Sequence, residues 1–154
     1  TANPPNDWRK VIDVGCGWGA SGIWCAKKLS ADVTSMDADR DVFHFLDITA
    51  KLNRVSTETL PQRFEKLRKG QLSQYDALIA ADICFWDELE DPVFLMVNRA
   101  IKAGVKDILI SDPERPPFMR MAKRCIDKHG GAIKEVNTRG SIKARGVILS
   151  INNR

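Results

Sequence analysis

An α/β fold is predicted for this chain: a doubly wound, mostly parallel seven-stranded sheet with helices on both faces and an antiparallel hairpin at the C-terminus. Three observations predict it. Short apolar segments alternate with longer amphipathic ones, which is typical of β-α units around a parallel sheet. A glycine-rich turn follows the first apolar segment, as where a strand runs into a helix. The last two apolar segments are separated by too few residues for a crossover helix, so they should pair antiparallel.

The first strand is predicted at residues 10–14, because its valines and isoleucine form the β-branched run of a strand buried on both faces. Glycines at positions 15, 17 and 19 permit a tight turn and a close approach of a ligand to the backbone. The apolar segment 19–30 then predicts a helix that begins at this turn.

The remaining elements follow the same alternation. Further strands are predicted at residues 33–37, 55–59, 76–81, 106–111, 132–137 and 145–151, and further helices at 40–53, 92–103 and 116–129. The segment 55–59 is short and polar, which suits a strand at the edge of the sheet.

Length and composition favour a single domain over residues 1–154, because 154 residues with 44% hydrophobic side chains can bury one core. No apolar run approaches the roughly 20 residues that cross a bilayer, and the N-terminus lacks the regions of a secretory signal. A cytoplasmic protein without a membrane partner is therefore expected. The sequence does not indicate an oligomeric state.

Charge and cysteine content exclude few partners. A net charge of +4 is mildly basic, and Lys and Arg are concentrated between residues 115 and 145. A solvated face is favoured there over a nucleic-acid surface, so nucleic acid is the less favoured partner. The four cysteines form no Cys-x-x-Cys pair and are predicted to be buried apolar residues without a metal. Neither histidine is assigned to catalysis.

Two acids near the first turn indicate the chemistry of a ligand. Asp13 precedes the first glycine by two residues, where a carboxylate repels a pyrophosphate but suits a cationic amino-acid group. Asp37 ends the second strand, where its two oxygens can accept hydrogen bonds from two ribose hydroxyls. Alternatively, Asp37 and Asp39 cap the next helix.

The order Asp-x-Gly-x-Gly-x-Gly over residues 13–19, followed by Asp37, resembles motif I of class I S-adenosylmethionine-dependent methyltransferases. The resemblance implies S-adenosylmethionine as the cofactor, with the glycine turn beneath its methionine part and Asp37 on its ribose. Glu65, after the third strand, either accepts from the exocyclic amine of adenine or is a surface residue. The implied cofactor-binding residues are Asp13, Gly15, Cys16, Gly17, Gly19, Asp37, Ala38, Glu65 and Ala81.

The segment after the fourth strand reads Asp82-Ile-Cys-Phe85-Trp86. Its Asp-x-x-Phe pattern resembles the post-strand motif of a methyltransferase branch that includes many protein-lysine methyltransferases. The resemblance implies that Asp82 holds the acceptor amine while Phe85 and Trp86 form an apolar wall that lowers the pKa of the amine and contacts cations through the ring faces. Alternatively, Asp82 is a loop residue and the two aromatic rings fill the core.

The loop from residue 111 to 118 leaves the fifth predicted strand beside the same pocket. Its three prolines are expected to hold Asp112, Arg115 and Phe118 in a stiff arrangement, which shapes acceptor specificity. Alternatively, the loop is a rigid connection with solvated charges.

The sequence thus predicts methyl transfer from S-adenosylmethionine to an amine nitrogen of an acceptor protein lysine or a small molecule. A nicotinamide-dependent oxidoreductase and a non-catalytic cofactor-binding subunit are the alternatives. The Asn/Asp-Pro-Pro-aromatic tetrad of many nucleic-acid amino-group methyltransferases is absent after the fourth strand. Because the family places helices before its first strand and only about ten residues precede it here, the chain is expected to lack an N-terminal segment.

Overall fold

The computed structural model describes residues 7–138 and 144–154. Within them lies one seven-stranded sheet of order β3-β2-β1-β4-β5-β7-β6. The strands are β1 (Lys10–Val14), β2 (Asp32–Asp37), β3 (Glu58–Pro61), β4 (Ala77–Ala81), β5 (Asp107–Asp112), β6 (Ala132–Asn137) and β7 (Arg145–Asn152). The α-helices are α1 (Ala20–Leu29), α2 (Val42–Leu52), α3 (Lys69–Leu72), α4 (Glu90–Ala103) and α5 (Pro116–His129).

Strand directions agree with the predicted fold class. β1 to β5 pair in parallel, whereas β7 is antiparallel to both β5 and β6. The terminal hairpin follows from the short link between its strands, which leaves no room for a crossover. The carboxyl ends of the parallel strands meet at one edge of the sheet, where ligands bind in open α/β folds.

Helices cover both faces of the sheet because neighbouring residues of each buried strand point to opposite sides. Ile12 of β1 points into the main core, which it shares with Met96 of α4 and Phe118 of α5. Val11, its neighbour, points to the other face and packs in a cluster with Cys25 of α1. A third cluster joins α1 to α2.

The third predicted strand is misplaced, because β3 covers Glu58–Pro61 and not residues 55–59. Val55 follows α2 and is tied to its last turn: its N–H donates to the carbonyl of Ala50 at 3.1 Å, and its side chain packs on the cluster that contains Leu46 and Ala50. A β-branched residue among polar ones is typical of a short strand, whereas here it packs against the last turn of a helix. The predicted edge position is correct.

Other boundaries differ less. Helix α4 begins at Glu90, two residues before the predicted start, after a 3₁₀ turn at Asp87–Leu89. The short helix α3 and a second 3₁₀ turn at Phe64–Lys66 were not predicted, since segments of three or four residues carry no readable periodicity.

All four cysteines are buried free thiols, as predicted. Across residues 7–138 and 144–154, no group of His, Cys, Asp and Glu side chains is arranged to hold a metal ion. None of the helices in this part of the chain is both long enough and apolar enough to span a bilayer.

Candidate active site

The glycine turn between β1 and α1 has left-handed backbone at all three glycines, with φ of 67° at Gly15, 50° at Gly17 and 85° at Gly19. Such φ values favour glycine. The turn is tied to β2, because the N–H groups of Gly15 and Cys16 both donate to the carbonyl of Met36, at 2.8 and 3.0 Å. A Cβ at Gly15 would lie 2.6 Å from Cγ2 of Ile83, so this glycine also allows the loop after β4 to approach closely.

Asp37 connects the turn to the end of β2. Its Oδ2 accepts the N–H of Gly17 and its Oδ1 accepts the N–H of Asp39, each at 3.0 Å. Each carboxylate oxygen can accept more than one hydrogen bond, so both retain capacity for a hydroxyl donor. The carboxylate is therefore held in a fixed orientation where the strand meets the cavity described below.

Asp13 lies beneath the turn and not on the cavity wall. Only 2% of the residue is exposed, and its Oδ2 accepts the N–H of Gly22 in α1 at 2.9 Å. Burial raises the pKa of Asp13 to about 6, with the nearby Asp37 carboxylate adding to the effect and the Gly22 hydrogen bond opposing it. In this structure Asp13 anchors the start of α1 to β1.

A cavity of about 360 Å³ opens beside Asp37 at the carboxyl ends of the parallel strands. Four of the predicted cofactor residues and all three predicted acceptor residues meet there. The lining residues are Gly15, Met36, Asp37, Ala38, Gln62, Arg63, Phe64, Glu65, Asp82, Ile83, Phe85, Trp86 and Leu89. A single concave site thus joins the β2 end to the loop after β4.

Glu65 lies on this wall, on the 3₁₀ turn that follows β3. Its carboxylate pairs with Arg63 at 3.0 Å. Burial by itself would raise the pKa of Glu65, but the hydrogen bond from Arg63, a backbone hydrogen bond and the charges of Arg63 and Arg99 together outweigh it and leave the pKa below its ordinary value. Glu65 is therefore an anionic acceptor at this end of the cavity.

Gln62 is a lining residue that the sequence did not indicate. Its side-chain oxygen accepts a hydrogen bond from Gln71 at 3.2 Å, whereas its buried Nε2 has no partner among the described residues. A buried amide donor without a partner is costly unless a ligand satisfies it. The strand assignment at 55–59 hid this residue, since Gln62 directly follows the true β3.

At the opposite end, Asp82 follows β4 with a left-handed φ of 61°, and its N–H donates to the carbonyl of Ser111 at 2.9 Å. Its carboxylate forms an ion pair with Arg115. Phe85 and Trp86 lie on the rim of the cavity, edge to face, with ring centroids 4.7 Å apart. They are 40% and 65% exposed, so they do not fill the core.

The remaining predicted residues lie outside the cavity lining. Cys16 is buried against Ile23 and Leu46, and burial raises the pKa of its thiol to about 12. Gly17 and Gly19 shape the turn, and Ala81 lies with Asp82 on a neighbouring cavity of about 340 Å³. In the proline loop, Phe118 is fully buried in the main core, so it is not a wall of the site.

The donor set fits a nucleoside that carries an amino-acid group. Carboxylates at Asp37 and Glu65 accept hydrogen bonds from hydroxyl and amine groups. The unpaired Nε2 of Gln62 can donate to a ring nitrogen, a ring oxygen or a carboxylate oxygen. Gly15 lies on the wall of the same cavity. The aromatic rim beside Asp82 can contact a cation.

Residues 2–81, just over half of the chain, match the family model described as methyltransferase small domain. Among curated proteins, the chain is similar to the electron transfer flavoprotein beta subunit lysine methyltransferase of Rattus norvegicus. The two are 24% identical over 110 residues, which cover 71% of this chain and 42% of the rat protein. The chain thus spans about two fifths of the length of that relative.

Solved structures share the fold. A SAM-dependent methyltransferase from Agrobacterium tumefaciens superposes with a TM-score of 0.70 at 16% identity, covering 99% of this chain and 57% of that one. The tRNA (uracil-54, C5)-methyltransferase of Pyrococcus abyssi, in complex with S-adenosyl-L-homocysteine, has a TM-score of 0.68 at 17% identity, covering 93% and 34%. At these identities the likeness concerns the fold alone.

Proposed function

This chain belongs to the methyltransferase small-domain family, and we propose that it transfers the methyl group of S-adenosylmethionine to the side-chain amine of a protein lysine. The observation that carries the proposal is that one cavity contains both Asp37 and the group Asp82, Phe85 and Trp86. The lysine methyltransferase activity in the name of the rat relative supports lysine over a small-molecule amine. The family match favours S-adenosylmethionine over a nicotinamide cofactor.

In the proposal, this chain holds the cofactor through the β2 and β3 ends. Asp37 accepts the ribose hydroxyls, Gln62 donates its free Nε2–H, and Glu65 accepts from the adenine amine. Asp13 attracts the cationic amino group from beneath the turn. The bound cofactor supplies an electrophilic methyl carbon on a sulfonium sulfur.

At the β4 end, the acceptor nitrogen must be uncharged and aligned with the methyl carbon. Transfer would form the C–N bond from the nitrogen lone pair as the methyl–sulfur bond breaks, with the electron pair of that bond staying on sulfur, and the resulting methylammonium would lose its proton to solvent. Asp82 orients the amine by accepting an N–H hydrogen bond. Phe85 and Trp86 exclude water from one side and contact the methylated ammonium through their ring faces.

A non-catalytic cofactor-binding subunit is the second candidate. One observation favours it: Arg115 already occupies the Asp82 carboxylate that the transfer reaction would use. The two candidates differ in turnover, because a binding subunit takes up S-adenosylmethionine but releases no S-adenosylhomocysteine.

Isothermal titration with S-adenosylmethionine tests the cofactor site. Asp37→Ala should weaken binding at least tenfold, since it removes two hydrogen bonds to a charged acceptor. Asp39→Ala is the matched control, because Asp39 is an exposed carboxylate that, among the described residues, accepts a single hydrogen bond, from the N–H of Asp41 at 2.9 Å. Equal affinities of the two variants would contradict the assigned role of Asp37.

The acceptor is tested by methyl transfer from labelled S-adenosylmethionine to the proteins of a cell extract, with mass spectrometry to locate the label. Methyl groups on lysine Nζ that disappear with Asp82→Ala, which removes the hydrogen-bond acceptor, would support the proposal. Label confined to nucleic acid or to atoms other than nitrogen would contradict it, and binding without any transfer would favour the non-catalytic candidate.

A further inference from the structure

Arg115 connects the acceptor end of the cavity to the core. Its Nη1 pairs with the carboxylate of Asp82 and lies 3.3 Å from Oδ2 of Asp112. Asp112 holds the same residue a second time, because its Oδ1 accepts the backbone N–H of Arg115 at 2.7 Å. The Asp112 side chain is fully buried, whereas the side chains of Arg115 and Asp82 are 34% and 58% exposed.

The guanidinium is preorganised by this arrangement. Arg115 precedes α5, and two prolines at the first helical positions restrict the backbone that follows it. A positive partner offsets part of the desolvation of a buried carboxylate. Asp112 therefore anchors Arg115, and the exposed face of Arg115 remains for Asp82.

The charged side chains near Arg115 and Asp82 have partners of their own and do not compete for either residue. Glu114 pairs with Arg145 of β7 at 3.1 Å. On α5, Arg120 pairs with Asp87 at 2.6 Å and with Glu90 at 2.9 Å. The Asp82 carboxylate thus meets one cation, Arg115, among the ion pairs of the described residues.

We infer that Arg115 is a positioning residue that orients the Asp82 carboxylate and cancels most of its charge toward the cavity. The inference rests on the proposed function, in which Asp82 receives the acceptor. An unpaired carboxylate there would hold a lysine as ammonium, which has no lone pair to attack a methyl carbon. With Arg115 in place, Asp82 still accepts a hydrogen bond but attracts cations weakly, so the amine enters in its uncharged form.

The charge at Asp82 can be measured without an acceptor, because S-adenosylmethionine and S-adenosylhomocysteine differ by one methyl group and one positive charge. Arg115→Gln exposes the Asp82 charge and should increase the preference for the sulfonium ligand over the thioether by roughly three- to tenfold in a low-salt buffer. The ratio of the two dissociation constants, each from isothermal titration, is the readout. If the role of Arg115 were merely structural, Arg115→Gln would weaken the binding of both ligands equally and leave the ratio unchanged.

Two further variants complete the test. Arg115→Lys keeps the positive charge and should keep the wild-type ratio. Lys123→Gln removes one positive charge from α5, the helix that follows Arg115; Lys123 pairs there with the exposed Asp127 at 2.6 Å, and this variant should also keep the wild-type ratio. An unchanged ratio in Arg115→Gln, or an equal change in Lys123→Gln, would overturn the inference.

The same titrations, together with the methylation assay, separate this inference from the proposed function. A wild-type protein that binds neither ligand would overturn both. A changed ratio in Arg115→Gln together with methylation of an atom other than an amine nitrogen would retain the charge control by Arg115 and refute only the lysine acceptor.

Discussion

Asp13, beneath the glycine turn between β1 and α1, allows the effect of a buried acid on the unfolding free energy to be measured. Its carboxylate is 2% exposed, and its one hydrogen bond in the described structure comes from the N–H of Gly22. Burial raises the pKa of Asp13 to about 6. Asp13→Asn removes the charge but keeps an oxygen that can accept the Gly22 N–H, so it isolates the electrostatic contribution.

The magnitude follows from linkage between proton binding and folding. In the unfolded chain Asp13 ionises near its ordinary pKa of about 3.9, and in the folded protein only near pH 6. Between these values the folded state binds more protons than the unfolded state, so stability falls as the pH rises. The stability that protonated Asp13 contributes is fully present below about pH 4 and lost above about pH 6. A pKa difference of roughly 2 corresponds to about 3 kcal/mol of unfolding free energy.

Urea unfolding of wild type and Asp13→Asn at pH 4, 5, 6 and 7 tests this expectation. The unfolding free energy of Asp13→Asn relative to wild type should rise by about 2–3 kcal/mol between roughly pH 4 and pH 7. Asp47→Asn is the control for loss of a surface carboxylate, since Asp47 is exposed and pairs with Lys51 at 2.6 Å. If the difference between Asp13→Asn and wild type does not change with pH, the account of Asp13 as a buried acid with a raised pKa is refuted.

Three more outcomes are expected. Gly15→Ala should lower the unfolding free energy by roughly 1–3 kcal/mol more than Gly17→Ala, because both positions are left-handed but an added Cβ meets Ile83 only at Gly15; equal losses in urea unfolding would argue against this contact. Trp8→Phe should cost roughly 1–3 kcal/mol, since it removes the indole donor to the buried Asp107 at 2.8 Å. An unchanged melting temperature would count against that hydrogen bond. The four buried thiols should react with Ellman's reagent only under denaturing conditions, because burial raises their pKa values; a thiol that reacts rapidly in native buffer would be inconsistent with the core.

Most of the fold was readable from the chain because its signals are local. The β-branched run at residues 10–14, the three glycines after it and the short link before β7 predicted their elements within a residue or two. Where a segment lacked such a pattern the prediction failed. Val55 looked like part of a strand, yet it is held by the carbonyl of Ala50 at the end of α2.

The candidate site divides in the same way. Asp37 and Asp82 were identified by their positions at strand ends, and parallel pairing of β1 with β2 and β4 explains why both reach one cavity. Gln62 was missed because the end of β3 was misplaced. Its free amide became visible only once the neighbouring side chains were in place.

The α/β class, the glycine turn and the acids at the strand ends follow from the amino-acid sequence, since each depends on periodicity or on residue types a few positions apart. The groups that these acids contact follow from the folded arrangement. Asp13 is held by Gly22 beneath the turn, and Asp82 is paired with Arg115, 33 residues further along the chain. Such partners depend on strand order, register and helix packing, which bring distant segments together through many weak contacts that no short stretch of sequence encodes.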